Sequence, residues 1–161
     1  MITQERLKEL LSYNTATGDF TWLVDRNAGS YAGDTAGTLM NKGYIHIKVD
    51  GKMYLGHRLA WLYIHGSIPT NLDHIDGNRV NNKIENLRPA SSFQNAHNAS
   101  IRSDNNSGYK GVGFHSMTGK WRARIRYMNK RKSLGLFDTP ELAHKAYCQA
   151  ADKLHGEFAH Y

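Results

Sequence analysis

Between Lys110 and Lys132 the sequence carries eight basic residues and no acidic one, and its centre alternates strictly as WRARIRY. In a β-strand successive side chains point to opposite faces of the sheet. The alternation therefore predicts a strand with one apolar face (Trp121, Ala123, Ile125 and Tyr127) and one basic face (Arg122, Arg124 and Arg126). Arginines that share a face repel one another unless an anion lies against them, so this strand favours a polyanionic partner. A basic surface that serves only solubility is the alternative.

The residues after this strand predict how its apolar face is covered. RKSLGLF reads as a further strand, and Thr139 followed by Pro140 is typical of a helix start, with Thr139 as the N-cap. We expect the helix to cover the apolar face with a stripe of Leu142, Ala143, Ala146, Ala150 and Leu154. A small sheet with an open arginine face fits the DNA major groove, where arginine reaches guanine edges and phosphates.

The charge is unevenly distributed along the chain of 161 residues. Residues 1–100 carry ten Lys and Arg against nine Asp and Glu, whereas residues 101–161 carry eleven against five, out of a net charge of +7. The segment RSDNNSG (102–108) is polar, contains glycine and lacks periodicity, so it reads as a linker. The length suits two small modules, and we predict an N-terminal domain over 1–100, a linker over 101–108 and a basic domain over 109–161.

The composition excludes several classes of protein. A hydrophobic fraction of 40% and an aromatic fraction of 11% indicate a folded chain. A single cysteine, Cys148, excludes an intrachain disulfide and a cysteine-based zinc knuckle. No apolar run approaches the ~18 residues that a membrane span needs, and the N-terminus MITQERLKELL does not resemble a signal peptide. We therefore expect a cytoplasmic protein.

The N-terminal half predicts short mixed elements. We expect a helix over 3–12 capped by Thr3, a strand through Phe20, Trp22 and Val24, and a hairpin turning at Asp50-Gly51. HRLAWLYIH (57–65) has helical spacing and is followed by Pro69, which we expect to end the helix.

The segment NLDHIDGNRVNNKIENLRPASSFQN (71–95) is rich in asparagine and poor in apolar bulk. A hard cation such as Mg²⁺ prefers oxygen ligands and needs only one or two from the protein, so Asp73 is a candidate ligand and Asn95, in a predicted helix, a second one. The neutral imidazole of His74 is a candidate general base. Neighbouring strand residues share a site only where the strand is distorted or at an edge. The open alternative is that all these residues serve only to form a loop.

The pattern HRLAW, then LDHIDGNRVNNKIENLR, then a helix bearing QNAHN resembles the HNH endonuclease family, and in particular its His-Asn-Asn branch, common in phage and group I intron homing enzymes. The resemblance covers roughly residues 10–98. It implies that Asp73 and Asn95 bind one divalent cation, Mg²⁺ or Mn²⁺, that His74 activates water, and that Asn86 ties the loop to the strand and holds His74 in place. The resemblance assigns no firm role to His57.

Residues 107–161 are similar to the DNA-binding domain of the plant APETALA-two/ethylene-response factors, in SGYKGV, GKW, LGLFDT and the alanine-rich helix. The resemblance implies DNA contacts from the sheet by Lys110, Arg124, Arg126 and Arg131, with Arg122 on the same face. Gly113 and His115 stand where the plant domains favour arginine, and Ser133 stands where they have a tryptophan that faces DNA. The sequence preference of that family therefore does not transfer.

Together these features predict an α+β protein with a ββα-metal nuclease core at about 70–100. A small helix and β-hairpin region precedes this core, and a three-stranded antiparallel sheet packed on one C-terminal helix follows it. The predicted function is site-selective, homing-type cleavage of double-stranded DNA by a monomer without a membrane or an obligate protein partner. We expect it in a bacterial host cell, encoded by a phage or an intron. A non-catalytic DNA-binding regulator and an RNA-binding or RNA-cleaving protein are the alternatives.

Overall fold

The computed structural model describes residues 2–26, 29–91, 94, 101, 105–128, 130–159 and 161. The chain divides into two compact units, Met1–Ala90 and Ser91–Tyr161. The predicted domain limits at 100 and 109 stay a prediction. The predicted helix over SSFQNAHNAS lies mostly outside the described residues, within which Gln94 is helical and closes a reciprocal pair of hydrogen bonds with Ser91.

The first unit consists of short antiparallel sheets and two helices. Its elements are α1 (Gln4–Leu10), β1 (Leu11–Tyr13), β2 (Phe20–Trp22), β3 (Thr35–Ala36), β4 (Thr38–Leu39), β5 (Ile45–Val49), β6 (Lys52–Leu55), α2 (Gly56–His65), β7 (Leu72–His74), a 3₁₀ turn (Ile84–Asn86) and β8 (Leu87–Pro89). The sheets have the strand orders β1-β2-β3, β4-β5-β6 and β7-β8.

Local chemistry explains most of these element boundaries. The Thr3 hydroxyl accepts a hydrogen bond from the amide of Arg6, which makes it the N-cap of α1, as predicted. The turn between β5 and β6 holds Asp50 at φ 46° and Gly51 at φ 78°, the backbone that a tight hairpin requires. Helix α2 ends at His65 and is capped by Gly66, whose left-handed backbone closes the last turn before Pro69 is reached.

The core of the first unit joins α1 and α2 to the two larger sheets. Leu7, Phe20, Ile47 and Leu59 are all at most 2% exposed. They belong to one apolar cluster with Leu11, Trp22, Ala36, Val49, Ala60, Leu62 and Leu87. Because Leu87 begins β8, this cluster supports one strand of the small β7-β8 sheet directly.

The second unit is a three-stranded antiparallel sheet packed on one helix, as predicted. Its elements are β9 (Val112–His115), β10 (Lys120–Tyr127), β11 (Lys130–Phe137), α3 (Pro140–His155) and a 3₁₀ turn (Gly156–Phe158), with β10 in the centre. Thr139 caps α3 through a hydrogen bond from the amide of Leu142, and Pro140 occupies the first turn. The chain therefore has an α+β fold.

The alternation of β10 is confirmed, whereas the predicted stripe of α3 is partly wrong. Ala123 and Ile125 are at most 2% exposed, and Arg124 and Arg126 are exposed. The buried residues of α3 are Ala143, Tyr147 and Ala151, while Leu142 is 50% exposed. The predicted stripe did not include Tyr147, because a tyrosine hydroxyl is usually expected at the surface. The ring of Tyr147 packs between the helix and the sheet.

Candidate functional site

The small β7-β8 sheet holds the two residues that the sequence predicts for chemistry. Asp73 lies opposite Arg88, and His74 lies opposite Leu87. Asp73 is 9% exposed and His74 is 5% exposed, although their side chains leave consecutive positions of the strand. All three residues of β7 are buried. Both side chains of this pair are therefore enclosed by protein.

The Asp73 carboxylate is held by an arginine from the neighbouring strand. The Nε and Nη2 atoms of Arg88 donate to the same oxygen, Oδ2, at 3.2 and 3.1 Å. Both side chains are largely buried, so this charged contact is well shielded from water. The pair fixes the orientation of the carboxylate.

The His74 imidazole is surrounded by two aromatic rings and one amide. Its Nε2 lies 3.2 Å from Oδ1 of Asn82, and its ring packs against the rings of His57 (4.9 Å between centroids) and Tyr44 (6.1 Å). Burial lowers the pKa of His74, and the contact with Asn82 and the nearby Asp76 and Asp73 carboxylates act in the opposite sense. The imidazole is thus neutral near pH 7, the form that a general base requires.

His57, which had no predicted role, is a neighbour of this imidazole. It is 6% exposed, and its ring also packs against Tyr44 with 5.4 Å between centroids. Burial, followed by the proximity of His74 and Arg58, lowers the pKa of His57 to about 3. His57 is therefore a neutral packing partner within the wall of the site.

Asn86 connects the loop after β7 to the 3₁₀ turn that precedes β8. Its Nδ2 donates to Oδ1 of Asp76 and to the carbonyl of Asn81, both at 2.9 Å, and its Oδ1 accepts from the amide of Asp76. Its own carbonyl accepts from the amide of Ile75, the residue after His74. Burial raises the pKa of Asp76, but hydrogen bonds from Asn81 and Asn86 outweigh it and hold that pKa below its ordinary value.

The donor set around Asp73 fits a hard cation that takes few ligands from the protein. Asp73 supplies a buried carboxylate, and the bonds from Nε and Nη2 of Arg88 both end on its Oδ2 atom. Among the residues that the structure describes, no three His, Cys, Asp or Glu side chains form a metal-holding group. Asn95, the second predicted ligand, lies outside the described residues. Mg²⁺ bound by one or two protein oxygens agrees with this arrangement.

The open face of the second unit is an arginine face, defined here as Arg122, Arg124, Arg126 and Arg131. Arg126 lies opposite Arg131, and Arg124 lies opposite Ser133 across the β10–β11 ladder. Burial, followed by repulsion from Arg122 and Arg131, lowers the pKa of Arg124. Positive charge is therefore concentrated on the side of the sheet that α3 leaves uncovered.

Lys110 differs from the rest of the predicted DNA-binding set. It is half-buried, and burial lowers its pKa to about 8. Burial, followed by the charge of Lys110, lowers the pKa of His155 near the end of α3, an imidazole whose ring packs against Tyr127 with 6.0 Å between centroids. The structure thus associates Lys110 with α3, and its contact with DNA stays a prediction.

Two residues of the site escaped the sequence analysis. Arg88 reads as an ordinary charge after the asparagine-rich segment, and Asn82 reads as a turn residue like Asn78 and Asn81. Only the register in which β7 pairs with β8 places Arg88 opposite Asp73, so the sequence alone could not identify this contact. No local signal separates Asn82 from its neighbours, because only the folded chain buries it.

Two family models match separate segments of the chain. A family model described as HNH endonuclease matches residues 54–97, and one described as AP2 domain matches residues 107–157. "Protein 3.8" of Escherichia phage T7 is 32% identical over 107 residues, which span 65% of this chain and 88% of that protein. "Uncharacterized HNH endonuclease L560" of Acanthamoeba polyphaga mimivirus is 34% identical over 111 residues, 68% of this chain but 57% of that protein.

Among solved structures, one titled "DNA binding and cleavage by the HNH homing endonuclease I-HmuI" is similar with a TM-score of 0.43 and 17% identity, over 91% of this chain and 85% of that chain. The first family match spans β7, β8 and the loop between them, and the second spans the sheet and most of α3. The two family matches support a nuclease and DNA-binding role. The chain belongs to the HNH endonuclease family and carries an AP2 domain in its second unit.

Proposed function

We propose that this chain is a site-selective, homing-type endonuclease that hydrolyses phosphodiester bonds of double-stranded DNA. The observation that carries the proposal is the buried pair on β7, a carboxylate fixed by Arg88 beside a neutral imidazole. A neutral imidazole accepts a proton from water, and an oriented carboxylate suits a divalent cation. The family match over residues 54–97 supports this combination.

In the proposed mechanism, His74 takes the proton of the attacking water while Asn86 keeps the loop folded behind it. Asp73 and Asn95 would hold Mg²⁺ or Mn²⁺ through oxygen atoms. When bound, this cation supplies positive charge that stabilises the developing negative charge on the phosphate and on the leaving oxygen. The bond from Arg88 keeps the Asp73 carboxylate in one orientation, so the ligand is positioned before the ion arrives.

The arginine face is proposed to dock on the DNA duplex, together with Lys110. Four arginines on the uncovered side of a small sheet are suited to phosphates and to guanine edges in the major groove. Docking by one unit raises the local concentration of DNA at the other, which makes a weak cutter selective. We propose action as a monomer.

We also propose that the protein acts in the cytoplasm of an infected host cell, because one of its relatives is a phage protein. None of the helices in the described part of the chain is long and apolar enough to cross a membrane.

The test is cleavage of a supercoiled plasmid library in Mg²⁺ or Mn²⁺ and in EDTA, with the cut positions mapped by sequencing. We expect His74→Ala to bind DNA like the wild type and to cleave it roughly 10²–10⁴-fold more slowly, because it lacks the base. His65→Ala is the control, since His65 is exposed at the end of α2. Full cleavage by His74→Ala would contradict the mechanism. Binding without cleavage by the wild type would instead indicate a DNA-binding regulator.

A further inference from the structure

Asn82 contacts the reactive imidazole directly, unlike the other asparagines of the loop. Its side-chain Oδ1 lies 3.2 Å from Nε2 of His74, and the residue is 4% exposed. Asn78 and Asn81, which share its segment, bind the loop itself through Asp76 and Val80. The side chain of Asn82 therefore contacts the proposed general base, whereas those of Asn78 and Asn81 stabilise the loop.

The fold holds both the backbone and the side chain of Asn82 in place. The hydroxyl of Tyr13 donates to the Asn82 carbonyl at 2.7 Å. Gly18 lies so close that a Cβ added there would be 2.7 Å from the carbonyl carbon of Asn82. At the start of α2, a Cβ on Gly56 would be 2.9 Å from Nδ2 of Asn82. With Nδ2 seated against Gly56, the amide presents Oδ1 to the imidazole.

An amide oxygen only accepts hydrogen bonds, which constrains the proton on the ring. A neutral imidazole carries one N–H and one lone pair, so a bond to Oδ1 requires the proton at Nε2. The lone pair is then at Nδ1. We propose that Asn82 is a positioning residue that selects the Nε2–H tautomer of His74 and so makes Nδ1 the nitrogen that removes the proton from water. This inference rests on the proposed nuclease function.

The same contact acts during proton transfer. When the attacking water gives its proton to Nδ1, the ring becomes an imidazolium and the hydroxide remains to attack phosphorus. The bond from Nε2–H to Oδ1 then becomes charge-assisted, and such bonds are stronger than neutral ones. The ring of His57, with its centroid 4.9 Å away, packs edge to face against His74 and helps to keep the imidazole oriented towards the side-chain amide of Asn82. Asn82 thus favours the charged ring more than the neutral one.

The experiment combines a tautomer measurement with kinetics. In metal-free protein, long-range ¹⁵N–¹H correlation spectra of His74 distinguish Nε2–H from Nδ1–H. We expect Nε2–H in the wild type, and a mixture or the other tautomer in Asn82→Leu, which keeps the branched shape of the side chain but lacks the oxygen. In the presence of Mg²⁺ we expect the same variant to lose roughly 10–100-fold in kcat with KM nearly unchanged, as for other residues that orient a reacting group.

Two further variants separate positioning from folding. Asn82→Asp retains an acceptor and should keep the Nε2–H tautomer and more activity than Asn82→Leu. Asn41→Leu makes the same change at an exposed position outside this loop and should alter neither the tautomer nor cleavage. Nδ1–H in the wild type, or an unchanged tautomer in Asn82→Leu, overturns the inference. Because the spectra need no substrate, a wild type that shows Nε2–H but never cleaves DNA contradicts the proposed function and leaves the tautomer assignment standing.

Discussion

The buried imidazole of His57 predicts that the first unit loses stability in mild acid. Its pKa is about 3 in the folded protein, lowered by burial and by the proximity of His74, against about 6.5 in an unfolded chain. Between these values the unfolded chain binds a proton that the folded chain does not bind. The stabilising contribution is therefore complete above about pH 6.5 and decreases as the pH falls towards 3.

The linkage relation gives a magnitude for this effect. Between pH 7 and pH 5, His57 alone should reduce the free energy of unfolding by about 2 kcal/mol. The His57→Phe substitution keeps a ring against Tyr44 and His74 and removes the titrating group. We therefore expect the variant to lose about 2 kcal/mol less than the wild type over the same pH interval.

Urea unfolding at pH 7, 6 and 5 in EDTA measures this difference. Trp22 and Trp61 lie in the first unit and Trp121 lies in the second, so a Trp121→Phe background makes tryptophan fluorescence report the first unit alone. His65→Gln, at an exposed histidine, is the control and should follow the wild type. Parallel pH profiles for wild type and His57→Phe would refute the claim that this imidazole is buried in its neutral form.

Two other predictions concern the second unit. Gly111 has a φ of +74°, and Gly111→Ala places a Cβ against the Tyr147 ring and 2.6 Å from the carbonyl oxygen of Arg124. We expect this substitution to lower the free energy of unfolding by roughly 3 kcal/mol in a thermal or urea melt. Gly108 has a similar φ of +72°, but a Cβ added there would have no heavy atom within 4 Å. If Gly108→Ala lost as much stability as Gly111→Ala, the close approach at Gly111 would be unimportant. Arg124→Gln should weaken DNA binding and reduce the salt slope by about 1, whereas Lys145→Gln, on the exposed side of α3, should do neither. Equal effects of the two charge changes in a titration at several salt concentrations would argue against docking by the arginine face.

Several features of the chain were determined by local sequence alone. The strict alternation of WRARIRY fixes which residues of β10 face the helix, because side chains alternate along any strand. Asp50-Gly51 determines the β5–β6 turn, since both residues adopt positive φ. Thr139 and Pro140 mark the start of α3 for similarly local reasons. The sequence also singled out Asp73, His74 and Asn86, and the family matches support reading them in a nuclease domain.

Only the tertiary structure decided what surrounds those residues. Arg88 meets Asp73, fifteen positions earlier in the chain, because β7 and β8 pair in one register. Asn82 meets His74 because Tyr13 and Gly18, more than sixty residues earlier in the chain, hold its backbone. Burial likewise depends on the whole unit, and it is burial that keeps His74 neutral. Residue type and spacing indicate which groups can react, whereas long-range packing sets their protonation, their orientation and their partners.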